Sequence, residues 1–118
     1  MDKVLKIYKI GNFYNCYGDN GVLLHYLMGY RFIESRNSCS YPSSAYNKVI
    51  GILQIKKIAY VIYNKDNIID SYKGISNKYL EVMDKAKERY RIEQVIEEYK
   101  LNNKNYKIED LIDVIRDL

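Results

Sequence analysis

An unbroken apolar run, Ile58-Ala-Tyr-Val-Ile-Tyr63, lies between the lysine pair Lys56-Lys57 and a polar turn, Asn64 to Asn67. A short continuous run of this kind, rich in β-branched and aromatic residues, reads as a strand buried on both faces. Such a strand needs hydrogen-bonding neighbours on either side, so the run predicts an inner strand of a sheet. With 118 residues the chain has the length for one ordinary core.

The pattern around that run supplies the neighbours. Val4 to Ile10 alternates like a strand, and Phe13 to Tyr17 follows the turn at Gly11-Asn12. Asp19 or Asn20 is placed to cap a helix through Val22 to Met28, which Gly29 closes in the left-handed conformation. Tyr30 to Glu34 reads as strand, and Ser38 to Pro42 as extended chain, because the residue before proline is pushed out of the helical region. Ser43 or Ser44 caps a second helix carrying Tyr46, Val49, Ile50 and Leu53 at helical spacing, and Ile68 to Tyr72 returns as a shorter strand.

From Ser76 the texture changes to charged helix. Tyr79, Met83, Ala86 and Tyr90 form one apolar stripe, and Ile92, Val95, Ile96 and Tyr99 form another lying nearly opposite, at about 100° per residue. A straight helix cannot bury both on one surface. The helix is therefore expected to break near Arg89 to Arg91, or to pack its first half on the sheet while its second half meets something else. After a polar turn, Asn102 to Asn105, the residues Ile108, Leu111, Ile112 and Ile115 form a stripe on a last helix, predicting a helical hairpin. The expected organisation is an α/β domain over residues 1–75, a mixed sheet flanked by helices, and a helical extension over residues 76–118 that packs on it or dimerises.

The formal net charge of +4 is uneven. Residues 1–75 carry ten Lys or Arg against five acids, and residues 76–118 carry nine against ten. The positive field of the first part favours polyanionic partners or an acidic protein surface. The excess of Lys, Ile, Tyr and Asn is what a low-GC coding sequence produces, so the tyrosine count partly reports codon usage. The residues before Ile10 are interrupted by Lys3, Lys6 and Lys9 and do not read as a signal peptide. Cys16 and Cys39 are accordingly expected as reduced thiols in a cytoplasm, and no apolar run approaches the ~20 residues needed to span a bilayer.

The segments YKIGNFYNCYGDNGVLLHYLMGYRF and SYPSSAYNKVIGILQIKKIAYVIYNKD, between Val4 and Asp66, resemble the N-terminal mismatch-recognition domain of the MutS family of DNA mismatch-repair proteins. In that family a G-D-F-Y-E-x-F segment leads into a helix, and a later G-[IFV]-P-x-H-[AS] segment opens a second helix followed by a strand. Gly11, Phe13, Tyr14 and Tyr17 fall on the first motif's glycine and aromatics, and Pro42 and Ala45 fall on the second motif. Asn12 stands in place of Asp, Asn15 in place of the glutamate that contacts the mispaired base, and Ser44 in place of His. The resemblance implies a MutS-like fold and a DNA-contacting role for Phe13, and the loss of the glutamate puts mismatch discrimination in doubt. The clamp and ATPase of that family have no counterpart, since no G-x-x-x-x-G-K-[ST] phosphate loop is present. The glycines of Gly18-Asp-Asn-Gly21 read as a turn and helix cap.

Independently of the family, strand alternation places Phe13 and Asn15 on one face of a strand and Tyr14 and Cys16 on the other. An exposed Phe stacks on an unstacked base or wedges into a base step, and Asn offers both donor and acceptor to a base edge. The competing reading makes Phe13 a core residue and Asn15 a surface residue of an edge strand. Arg31, Arg36, Lys48, Lys56 and Lys57 are the candidate phosphate contacts, each competing with an ordinary solvated charge, and Tyr8, Tyr41, Tyr46, Tyr60 and Tyr63 are further stacking candidates. His25, Cys16 and Cys39 match no zinc spacing, and Cys16 is expected inside, where a thiol is inert. The acid pairs Glu97-Glu98 and Glu109-Asp110 read as solvated helix faces.

The chain is therefore expected to be non-enzymatic, without metal or cofactor, and to bind DNA or RNA as a detached MutS-like module. The alternative is a phage or mobile-element protein that binds and inhibits a nucleic-acid-handling host protein, such as a CRISPR effector nuclease, in the manner of an anti-CRISPR. A helper subunit that homodimerises through its C-terminal helices is a third reading.

Overall fold

The structure is a computed structural model that describes residues 3–103 and 107–117, without the side chain of Leu111. Its elements run β1 (Leu5–Ile10), β2 (Phe13–Tyr17), α1 (Asp19–Met28), β3 (Phe32–Ile33), β4 (Ser38–Pro42), α2 (Tyr46–Ile55), β5 (Tyr60–Asn64), β6 (Asn67–Tyr72), α3 (Lys78–Asn102) and α4 (Ile108–Arg116). Single 3-10 turns at Glu34–Arg36 and Ser43–Ala45 lead into β4 and α2. The protein is α/β, with one six-stranded mixed sheet of order β3-β4-β2-β1-β5-β6. β1 and β5 run parallel, and every other neighbouring pair is antiparallel.

Alternation along the strands explains which side is covered. Leu5, Ile7, Tyr14, Cys16, Cys39, Tyr41, Tyr60 and Ile62 point to one face and are buried. Against them pack Val22, Leu23 and Leu24 of α1, Val49, Ile50 and Leu53 of α2, and Tyr79, Met83 and Ala86 of α3. Three helices thus share one face of the sheet, and no described element covers the other. That arrangement changes the reading of the apolar run from Ile58. β5 is an inner strand as expected, but only Ile58, Tyr60 and Ile62 are fully buried, while Val61 and Tyr63 are half-buried on the uncovered side.

Local chemistry differs from the expected caps. α1 begins one residue before its expected cap could act: Gly18 takes the cap position at φ 58° and Asp19 lies in the first turn. Gly21 then lies against the sheet, where an added Cβ would come within 2.8 Å of the Cys16 carbonyl oxygen and 2.9 Å of the Phe32 ring. Gly29 ends the helix at φ 77°, as expected. Neither serine caps α2; Ser43 instead donates both its backbone N–H and its hydroxyl to the Asn12 carbonyl, tying the β1–β2 turn to the start of that helix. The strand expected over Tyr30 to Glu34 shrinks to Phe32–Ile33 because the 3-10 turn takes over at Glu34.

α3 does not break. Its first stripe completes the core, and a line of polar contacts fixes it along α1: Tyr79 donates to Asn20 at 2.7 Å, Lys87 pairs with Asp19 at 3.0 Å, and His25 Nε2 meets Glu93 at 2.9 Å. The Phe32 and Tyr90 rings meet edge to face at 5.4 Å. Over 25 residues α3 spans about 37 Å at 1.5 Å per residue, so one helix carries both stripes at different heights. Ile92, Val95, Ile96 and Tyr99 are half-buried, and α4 of the same chain packs on α3. Ile108 and Ile112 remain exposed at 71% and 47%, whereas Ile115 is half-buried. Leu111 of that stripe and part of the expected turn at Asn102 to Asn105 lie outside the described residues. No helix among the described residues is long and apolar enough to cross a membrane.

Candidate nucleic-acid interface

The uncovered sheet face collects the residues that alternate with the core. From β1 these are Lys6, Tyr8 and Ile10; from β2, Phe13, Asn15 and Tyr17; from β5, Val61 and Tyr63. The register fixes their rows. Ile10 faces Phe13, which faces Pro42, and Tyr8 lies between Asn15 and Tyr63. Tyr8 and Tyr63 stack with ring centroids 5.3 Å apart and planes 16° apart, and Tyr17 tilts onto Tyr8 at 5.8 Å. Phe13 is 52% exposed, Tyr17 41% and Ile10 60%. Phe13 is therefore not a core residue, and β2 is an inner strand between β4 and β1, not an edge.

Asn15 is less free than the sequence suggests. Its amide nitrogen donates to the Tyr8 carbonyl at 3.2 Å, and its oxygen accepts from the Ser40 hydroxyl at 2.5 Å. The side chain thus cross-links β1, β2 and β4, keeping one N–H and one lone pair for a ligand.

Several tyrosine hydroxyls on the helical side are engaged, although that of Tyr41 has no partner among the described residues. On the helical side Tyr46 donates to Asp70 at 2.5 Å, Tyr60 accepts from Gln54 at 3.0 Å, and Tyr72, Tyr79 and Tyr90 all have partners. On the open face the hydroxyls of Tyr8, Tyr17 and Tyr63 make no hydrogen bond among the described residues. Of the tyrosines considered for stacking, Tyr8 and Tyr63 face outward, while Tyr41, Tyr46 and Tyr60 belong to the helical side. Tyr17 was not among the candidates, although its place four residues after Phe13 in one strand puts it on the same face.

Charge is segregated in the same sense. None of the outward-facing strand residues is acidic; Asp70, the acid within β6, points inward to Tyr46 and Tyr60. A hollow of about 400 Å³ opens at one end of the open face, lined by Tyr8, Lys9, Ile10, Gly11, Tyr17, Asn64 and Lys65. The Lys9 ammonium itself lies 6.0 Å over the inward Tyr14 ring, so Lys65, at the exposed β5–β6 turn, is the cation at the rim.

The five cations expected to contact phosphate are not brought to this face. Arg31 lies at the entry to β3, Arg36 in the following 3-10 turn, and Lys48 on the exposed side of α2. Lys56 and Lys57 stand at the end of α2, where with Lys78, Lys85 and Glu81 they line a hollow of about 340 Å³. A larger hollow of about 740 Å³, between α3 and the β3 edge, includes Arg31, His25, Glu34, Tyr90, Glu93 and Gln94. Several of its polar groups are already engaged: His25 with Glu93 and with the Tyr30 carbonyl, and Tyr90 and Gln94 with Glu34. Burial, then the bond to Glu34, pushes the Tyr90 phenol up to about 12.

The thiols are structural. Cys16 and Cys39 face each other across β2 and β4 and are free and fully buried. Burial pushes Cys39 up to about 12 and Cys16 higher still, so neither forms a thiolate at neutral pH. Among the described residues no cluster of His, Cys, Asp and Glu could hold a metal ion. No family model matches the sequence, and no curated protein is significantly similar to it.

Proposed function

We propose that the chain is a non-catalytic nucleic-acid-binding module, a detached domain of the MutS-like kind suggested by its motifs, which meets its ligand with the open sheet face. The observation that carries this reading is the uncovered face, with no acid among its outward-facing strand residues, on which Phe13 and Tyr17 stand exposed beside the Tyr8–Tyr63 stack. Leaving large rings in water gives up burial free energy, and a flat aromatic surface whose strands present no acid suits a polyanion with exposed bases. Each base stacked on such a ring contributes ~1–3 kcal/mol. Asn15, pinned beside Tyr8, presents a neutral amide where the family has a carboxylate, so little preference for mismatched over matched duplex is expected.

The test is a salt-titrated binding curve on wild type and Phe13→Ala, paired with a thermal melt. With Phe13 half exposed, Phe13→Ala is expected to weaken binding by ~1–3 kcal/mol and to leave the melting temperature nearly unchanged. A wild type that binds no DNA or RNA at low salt overturns the reading. In that event the protein-inhibitor alternative, with a basic nucleic-acid-handling partner such as a CRISPR effector nuclease, is supported by one observation: acids crowd the outer helices, with Glu97, Glu98, Glu109, Asp110, Asp113 and Asp117 all exposed.

A further inference from the structure

We infer that the open face takes an unpaired stretch of nucleic acid, and that the 400 Å³ hollow beside Tyr8 and Tyr17 holds one of its bases, with Lys65 at the rim for a neighbouring phosphate. The inference rests on the proposed function and narrows it from nucleic acid to single strand.

The rings rise from strands, so the surface they form is broad and follows the sheet. In a duplex the base faces are stacked on one another and the grooves show only edges; an aromatic sheet finds π-faces only on unpaired bases. Phe13 does not stand alone as a wedge, because the register places Ile10 and Pro42 on either side of it on the same face. The hollow falls within the ~300–1,000 Å³ range of small-ligand sites, and its two tyrosine rings form a corner, tilted 54° to one another, that a base can enter edge-on to one and face-on to the other. The hydroxyls of Tyr8 and Tyr17 have no partner among the described residues and are free to meet base edges or phosphate oxygens. Cations on this side are sparse, Lys6 on the face and Lys65 at the rim, which suits binding led by stacking and not the many phosphate contacts that a duplex demands.

The experiment is fluorescence anisotropy with the whole chain and four labelled probes: a thymidine 12-mer, a uridine 12-mer, a matched 12-base-pair duplex, and the same duplex with one mismatch. Either single strand is expected to bind at least about 10-fold tighter than either duplex, with a shallow logarithmic salt slope of roughly −0.7 for the phosphate contact of Lys65. The DNA and RNA arms show which sugar the face accepts. Tyr17→Ala is expected to weaken single-strand binding on the order of 10- to 100-fold, and Lys65→Ala to flatten the salt slope, while Lys100→Ala on the helical side leaves both unchanged. Duplex binding equal to or tighter than single-strand binding, with Phe13→Ala still harmful, overturns the single-strand inference and leaves the proposed function intact. Single-strand binding indifferent to Tyr17→Ala in a protein of unchanged melting temperature overturns the base subsite. Failure of all four probes overturns the inference together with the function on which it rests.

Discussion

At the residue scale the core holds a revealing exception. Tyr41 is fully buried, stacked 5.0 Å from Tyr14, yet its hydroxyl has no hydrogen-bond partner among the described residues. An orphaned buried hydroxyl costs roughly 1–3 kcal/mol, whereas the ring packing survives removal of one oxygen. Tyr41→Phe is therefore expected to leave the protein as stable or about 1 kcal/mol more stable in a denaturant titration, and a clear loss contradicts the assignment. Tyr60→Phe tests the converse: its hydroxyl accepts from Gln54 and reaches Asp70, so this variant is expected to lose about 1 kcal/mol. Sequence alternation told Phe13 and Asn15 from Tyr14 and Cys16, because a period of two is local. It did not tell which side would be covered, and so left Phe13 open between core and surface. Nor did it show that Asn15 is held by Tyr8 and Ser40, since those partners come from other strands.

At the element scale, strands, turns and helices were legible wherever glycine, proline or apolar spacing punctuates the chain, as at Gly11-Asn12, Gly29 and Pro42. α3 was harder. Its two stripes suggest a break only if the whole helix must meet one surface, and here the second half runs on past the sheet to meet α4. Two consequences follow from that graded docking. Met83, in the core, is expected to cost about 2–5 kcal/mol when changed to Ala, as read by denaturant unfolding. In hydrogen exchange the amides around Met83 and Ala86 are expected to outlast those around Glu97 to Leu101, whose side chains are exposed or half-buried. Uniform protection along α3 contradicts this account of how the helix is held.

At the scale of the whole molecule the same asymmetry governs stability and function. The helical side hides thiols and phenols: Cys16, Cys39, Tyr41, Tyr46, Tyr60 and Tyr90 all hold their protons more tightly than in a free chain, with burial the first cause in each. In the unfolded chain thiols titrate near 9.0 and phenols near 10.0, whereas Cys39 and Tyr90 in the fold wait until about 12. The unfolded state thus releases protons that the folded state keeps, so their contribution is complete below about pH 9 and is lost as pH rises towards about 12. A denaturation midpoint that stays flat from pH 8 to 11 contradicts that burial. The open side was the least legible part of the chain, because the emptiness of a sheet face depends on where every helix goes. Lys56 and Lys57, just before the apolar run, Lys48, one or two helical turns earlier, and Arg31 and Arg36 are candidates from position along the chain alone, and the topology carries them elsewhere. The central claim is that ligand meets this bare face, and backbone amide shifts during titration of the thymidine and uridine 12-mers test it most directly. The account predicts that the perturbed amides cluster at Lys6 to Tyr17 and at Val61 to Ile68, leaving the outer face of α3 unmoved; perturbations confined to α3 and α4, or none at all, contradict it.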